Sequence, residues 1–91
     1  AEEARRLGLL TDVVPDGELD AAVDALVARL LAQSPSALRH GLDAMAWQQG
    51  RPLEEALPEL ERRLFALLGT EDAREGLTAF LERRTPVWRG H

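Results

Sequence analysis

Three observations predict an all-α fold of four helices, with a short extended link near residues 9–14. Apolar residues recur at spacings of three and four in four successive stretches, which is the period of a helix with one buried face. Glycine, proline, serine and threonine fall between those stretches, where helix starts and stops belong. The run with strand character, Leu9-Leu10-Thr11-Asp12-Val13-Val14, stands alone. A single strand has no neighbour with which to build a sheet.

Ala1 to Leu7 reads as the end of a short helix closed by Gly8, at the position where a left-handed residue is needed. The two valines of the link favour extended backbone, and Pro15-Asp16-Gly17 then makes a turn. Glu18 to Gln33 is the first full helix. Its stripe is Leu19, Val23, Leu26 and Leu30, widened by Val27 and Leu31, with Glu18, Asp20 and Asp24 near its start and Arg29 near its end, as the helix dipole prefers.

Ser34-Pro35 opens the second helix as N-cap and first-turn proline. Leu38, Leu42 and Met45 form its stripe, and Gly50 closes it. Gly41 in its interior costs about 1 kcal/mol relative to alanine, which implies another backbone close by. The third helix begins near Pro52 and carries Leu53, Leu57, Leu60, Leu64 and Leu67 at regular four-three spacing. Pro58 lies inside it, and a kink or break near Leu57 is expected there. Gly69 ends this helix. Thr70 caps the fourth, with Glu71 and Asp72 in its first turn, and Pro86 is expected to end it. Its Leu77, Phe80 and Leu81 read as the docking face.

Ninety-one residues allow one domain, and a domain of this size buries only about 60 to 65% of its unfolded surface. The composition, 45% hydrophobic and 30% charged, is that of a folded chain rather than a disordered one. The charged helical pattern is already running at the first residue, an alanine, so a fragment of something longer is expected. The stranded link and the width of the third helix's apolar face leave more apolar surface than four helices cover. That surplus implies an interface.

The net charge of −5 disfavours nucleic acid and anionic membranes as partners. All eleven basic residues are arginine, and Arg83, Arg84 and Arg89 follow the last acid, Glu82. A basic tail on an acidic body suits an anionic ligand or an acidic partner patch, or simply the negative end of a helix dipole. With no apolar run approaching a membrane span, no cysteine and no recognisable leader, a cytoplasmic location is the default.

No catalytic or metal constellation is present. His40 sits on a helix beside Arg39 and reads as solvated or partly packed, and terminal His91 as disordered; neither has a second histidine three or four residues away, the spacing a helical metal site needs. The glycines are isolated, so no phosphate loop exists. Glu54/Glu55 and Glu71/Asp72 are first-turn acids, and Glu75 reads as structural. Trp47 and Trp88 read as core or interface anchors, and Phe80 as core unless its helix is a lid.

Taken together, Ala1-Glu2-Glu3-Ala4 leading to Gly8-Leu9-Leu10-Thr11-Asp12-Val13-Val14-Pro15, Ser34-Pro35-Ser36-Ala37-Leu38, Leu53-Glu54-Glu55-Ala56-Leu57, and Thr70-Glu71-Asp72 through Glu75-Gly76 to Glu82-Arg83-Arg84 resemble the carboxy-terminal third of the crotonase superfamily, the enoyl-CoA hydratases and isomerases. The resemblance covers essentially the whole chain. It implies a ββα-spiral parent in which residues 1–17 end the core and residues 18–91 form the helical trimerisation and lid segment. It also implies a homo-oligomeric parent, a trimer or dimer of trimers, acting on a CoA thioester as substrate, with no separate cofactor. The oxyanion-hole amides and acid/base carboxylates of that family lie upstream, so no catalytic residue falls in this chain.

By the same resemblance Arg83 matches the basic residue, often lysine, that helps hold the CoA phosphate from a neighbouring subunit. The pocket-lining position of the third helix falls at Leu64 or Phe65. Phe80, Leu81 and Trp88 are the expected interface residues. A reading of a different class is an autonomous helical module that binds a partner helix in its surplus apolar groove.

Overall fold

The computed structural model describes all residues, 1–91, and contains five helices and no strand. These are α1 (Glu2–Arg6), α2 (Leu19–Leu31), α3 (Pro35–Gln48), α4 (Leu53–Leu68) and α5 (Glu71–Glu82). None is long and apolar enough to cross a membrane. The chain divides into two compact units, Ala1–Leu30 and Leu31–His91.

In the first unit, Glu2–Arg5 and Glu3–Arg6 pairs at i,i+3 line the short α1. Gly8, at φ +78°, ends it in the left-handed region, and Gly17, at φ +86°, makes the turn in which the Glu18 amide donates to the Pro15 carbonyl at 3.1 Å. The link is irregular. Leu10 and Val14 lie along the α2 stripe with Leu19, Val23 and Leu26, around a hollow of about 230 Å³.

The second unit is built from α3, α4 and α5, each in contact with the other two. Ser34 caps α3, its Oγ accepting from the Ala37 amide at 3.1 Å, and Thr70 caps α5 in the same way through Ala73. Between α3 and α4, the Arg63 guanidinium joins Asp43 and Glu59 and lies 5.2 Å from the Trp47 ring centroid, with Arg51 at 4.3 Å. Two arginines thus lie over one indole, a favourable placement for cations on a π face. Arg62 and Arg63 hold the Glu59 carboxyl down at about 2.

Two expectations are corrected here. Helix α4 runs on through Pro58, so the break expected near Leu57 as the alternative to a kink does not occur. The proline sits in the second turn and removes a single ladder hydrogen bond, while the helix continues for ten residues beyond it into contact with α3 and α5. At Gly41 a Cβ would meet nothing within 4 Å, so no backbone approaches it within the chain. The close approach is at Gly76 instead, where a Cβ would stand 3.2 Å from Trp88 Cη2.

The apolar stripes do not close on one another as a core. The buried apolar residues are Ala56 and Ala79, whereas Leu42, Met45, Leu53, Leu57, Leu64, Phe65, Leu68 and Leu77 of the second unit are all exposed. Phe80, read as core unless its helix is a lid, is 80% exposed. Small residues are thus the fully buried ones, Leu38, Leu60 and Leu67 are half-buried, and most of the large apolar side chains stand outside.

Candidate functional site

Helix α5 ends at Glu82, with Arg83 as its C-cap, rather than at the expected Pro86. The Arg83 amide donates to the Phe80 carbonyl at 3.3 Å and the Arg84 amide to the Ala79 carbonyl at 3.0 Å, the paired closure in which the residue after the helix turns left-handed. Arg83 has φ 54° and ψ 43°, and no other non-glycine residue in the chain has positive φ. A Cβ in that region costs on the order of 1 kcal/mol.

Three carboxylates of α5 bind the segment that follows this turn. Glu75 receives the Arg84 guanidinium on both oxygens, at 2.5 and 3.0 Å, and the Val87 amide at 2.9 Å. Glu82 also accepts from Arg84, at 2.5 Å. One turn earlier on the helix, Asp72 accepts from the Arg89 amide at 2.8 Å and the Gly90 amide at 3.2 Å. It takes the Ser34 hydroxyl at 2.8 Å as well. Ser34 therefore joins the cap of α3 to the tail through one carboxylate. Residues 84–90 consequently run back along α5, meeting Glu75 first and Asp72 last.

Aromatic packing completes the return. Trp88 lies over Gly76, where a helical residue without a side chain leaves room for the ring, and its Nε1 donates to the Ala32 carbonyl at 3.0 Å. His91, expected to be disordered, is held: its carbonyl accepts from the Asp72 amide at 2.9 Å and its Nε2 lies 3.1 Å from Glu71 Oε2. Arg39 of α3 donates to the Gly90 carbonyl.

The electrostatics follow this geometry. Asp72 is 1% exposed. Burial alone raises its pKa, but the Arg89 and Gly90 amides and the Ser34 hydroxyl outweigh burial and hold it at about 2. The Arg84 guanidinium, helped by the Val87 amide, holds Glu75 at about 2, and Arg84 in turn is pushed up by Glu75 and Glu82. Both carboxylates are thus charged acceptors at neutral pH. Neither is poised to move a proton.

The basic tail is not one patch. Arg84 is committed to Glu75 and Glu82, whereas the neighbouring Arg83 side chain is exposed and enters no ion pair or side-chain hydrogen bond. Leu64 lines a shallow apolar hollow of about 160 Å³ with His40, Gly41, Leu60 and Leu67, and Phe65 is exposed on the next position of α4. Arg83 is not part of that hollow. Phe80 and Leu81 are each 80% exposed, and Trp88 is half-buried. No three histidine, aspartate or glutamate side chains converge as a metal site would require.

Sequence reasoning treated Asp72 as a first-turn acid and Glu75 as generically structural. Their partners lie 9 to 38 residues away, beyond the reach of helical periodicity. A usable signal was present: Glu75-Gly76 on a helix followed by Arg84 and Trp88 places a carboxylate and a gap opposite a cation and a ring.

Comparison with known proteins gives a consistent result. The enoyl-CoA hydratase/isomerase family matches residues 1–91. The chain is 40% identical over 92 residues to the 2,3-dehydroadipyl-CoA hydratase of Escherichia coli K12, covering 99% of this chain and 35% of that protein. It is 33% identical over 90 residues to the (E)-benzylidenesuccinyl-CoA hydratase of Thauera aromatica, again over 99% of this chain and 35% of that protein. Among solved structures, an enoyl-CoA hydratase/isomerase from Mycobacterium paratuberculosis superposes with a TM-score of 0.91 at 32% identity, over 100% of this chain and 36% of that one. The chain spans about a third of the length of these relatives.

Proposed function

For a chain that belongs to the enoyl-CoA hydratase/isomerase family and corresponds to its carboxy-terminal helical segment, we propose a role in assembly and in acyl-CoA binding rather than in the chemistry itself. In this reading residues 1–17 end the catalytic core of the complete protein and residues 18–91 form its helical domain. Phe80 and Leu81, with the outer edge of Trp88, make contacts between subunits. Arg83 reaches the CoA phosphates of a neighbouring subunit, and Leu64 or Phe65 lines the thioester pocket. The reaction of the complete protein is addition of water to a 2-enoyl thioester or a shift of its double bond, with an enolate held by upstream amides.

The observation that carries this reading is the state of Arg83. It is exposed and unpaired at the end of α5, while the adjacent Arg84 is locked to two carboxylates. A free guanidinium is a charge-assisted, bidentate donor suited to phosphate. In the complete protein, Arg83→Ala is expected to weaken CoA-thioester binding by about 1 to 3 kcal/mol, mainly through the 3′-phosphate. Equal losses for CoA and 3′-dephospho-CoA thioesters would sink the assignment. The 91-residue chain alone is expected not to hydrate crotonyl-CoA, and turnover above background would refute the upstream placement of the catalytic groups.

A further inference from the structure

Two adjacent arginines end α5, and the structure treats them oppositely. Glu75 takes the Arg84 guanidinium on both oxygens and the Val87 amide on one of them. That grip begins immediately after Arg83 and continues through Trp88 on Gly76 and the Arg89 and Gly90 amides on Asp72. The chain must therefore reverse within one residue. That residue is Arg83, whose left-handed backbone is otherwise unfavourable for a side chain. Strained backbone persists where its surroundings over-determine it, and such positions concentrate at ligand sites. Glycine is the residue that suits this position, so an arginine there keeps a side chain against a local preference.

We propose that Glu75 is a positioning residue for Arg83: by clasping Arg84 and the returning tail it holds the left-handed turn and leaves the Arg83 guanidinium unpaired and facing outward for an anionic phosphate. The proposal rests on the reading of Arg83 as a CoA-phosphate contact. Glu75 has two effects in this role. It fixes the direction in which Arg83 leaves the helix, and it takes up the competing arginine.

The sign of the expected effect separates this from simple electrostatics. Glu75 is an anion near the tail, so its neutralisation would by charge alone strengthen phosphate binding. The proposal requires the opposite. In the complete protein, binding of CoA and 3′-dephospho-CoA is measured for the wild type, Arg83→Ala, Arg83→Gly, Glu75→Gln and Glu75→Asp, with the ratio of the two affinities as the readout. Arg83→Ala and Arg83→Gly are expected to abolish the preference for the 3′-phosphate, with Arg83→Gly keeping or raising thermal stability because glycine relaxes the turn.

Glu75→Gln is expected to reduce that preference about fivefold, a typical coupling between groups in one network. Glu75→Asp keeps the charge and the fold but shortens the reach, and is expected to reduce the preference as well. Added to Arg83→Ala, Glu75→Gln is expected to cause no further loss. A preference abolished by Arg83→Ala but unchanged in both Glu75 variants overturns the positioning role and leaves the Arg83 assignment standing. A preference that survives Arg83→Ala overturns the assignment itself.

Discussion

On one face of α5, Asp72, Glu75, Gly76 and Ala79 lie against the rest of the chain; on the other, Leu77, Phe80 and Leu81 stand in solvent. This inverts the usual arrangement, in which a helix buries its large apolar residues and exposes its charges. The inward face works through paired acceptors and a gap: two carboxylates take five donors between them from the tail and α3, and Gly76 accommodates Trp88. The outward face holds apolar area in reserve, and burying a phenylalanine or leucine contributes about 1.5 to 3 kcal/mol each. The tail is thus settled by the chain's own polar groups. The large apolar side chains of α5 take no part in that settlement.

The largest effect is expected from breaking the outward face. In the complete protein, Phe80→Glu with Leu81→Glu removes about 3 to 6 kcal/mol of apolar burial by the same area reckoning and adds two buried charges, so the assembly should dissociate, as read by light scattering. An unchanged mass would show that these side chains are not at a subunit contact.

Next in size is the inward face. Asp72→Ala strips the Arg89 and Gly90 amides and the Ser34 hydroxyl of their shared acceptor, and tryptic cleavage in the tail is expected to rise about tenfold as local opening becomes easier. Cleavage at the wild-type rate would mean that Trp88 and Glu75 hold the tail unaided.

Acid should weaken the same face without mutation. Asp72 and Glu75 have folded-state pKa values near 2, below their ordinary values of 3.8 and 4.5. A depressed carboxylate contributes its full stabilisation above the unfolded value and loses it as pH falls towards the folded one. In a Trp47→Phe background, the Trp88 emission is therefore expected to stay constant from neutral pH down to about 5 and to change between about pH 4.5 and 2. A transition centred near pH 6 would point to histidine instead.

The smallest effect tests the gap. Gly76→Ala gains about 1 kcal/mol of helix propensity and presses a methyl against the Trp88 ring, 3.2 Å away. The ring is only half-buried, so it can yield. The net change in stability is expected to stay within about 1 kcal/mol. A loss of more than about 2 kcal/mol, on the scale of an overpacked core, would show that the ring is pinned.

Local order in this protein was legible without coordinates. Ser34-Pro35 and Thr70-Glu71-Asp72 marked two helix starts, Gly8 marked a left-handed helix end, Pro15-Asp16-Gly17 a turn, and the stripe from Leu53 to Leu67 marked α4. Caps, turns and periodicity act over three or four residues, so the sequence displays them directly. The run of short segments from Ala1 to Arg84 was also sufficient to indicate the family. What α4 does at Pro58, where α5 stops, and which of two adjacent arginines is left free were decided by tertiary structure. Each depends on contacts made elsewhere: the packing of α4 on α3 and α5, and the grip of Glu75 on a residue nine positions further along. A carboxylate in a helical turn looks the same in sequence whether it meets water or a returning chain, because the partner that fixes its role is brought to it only by folding.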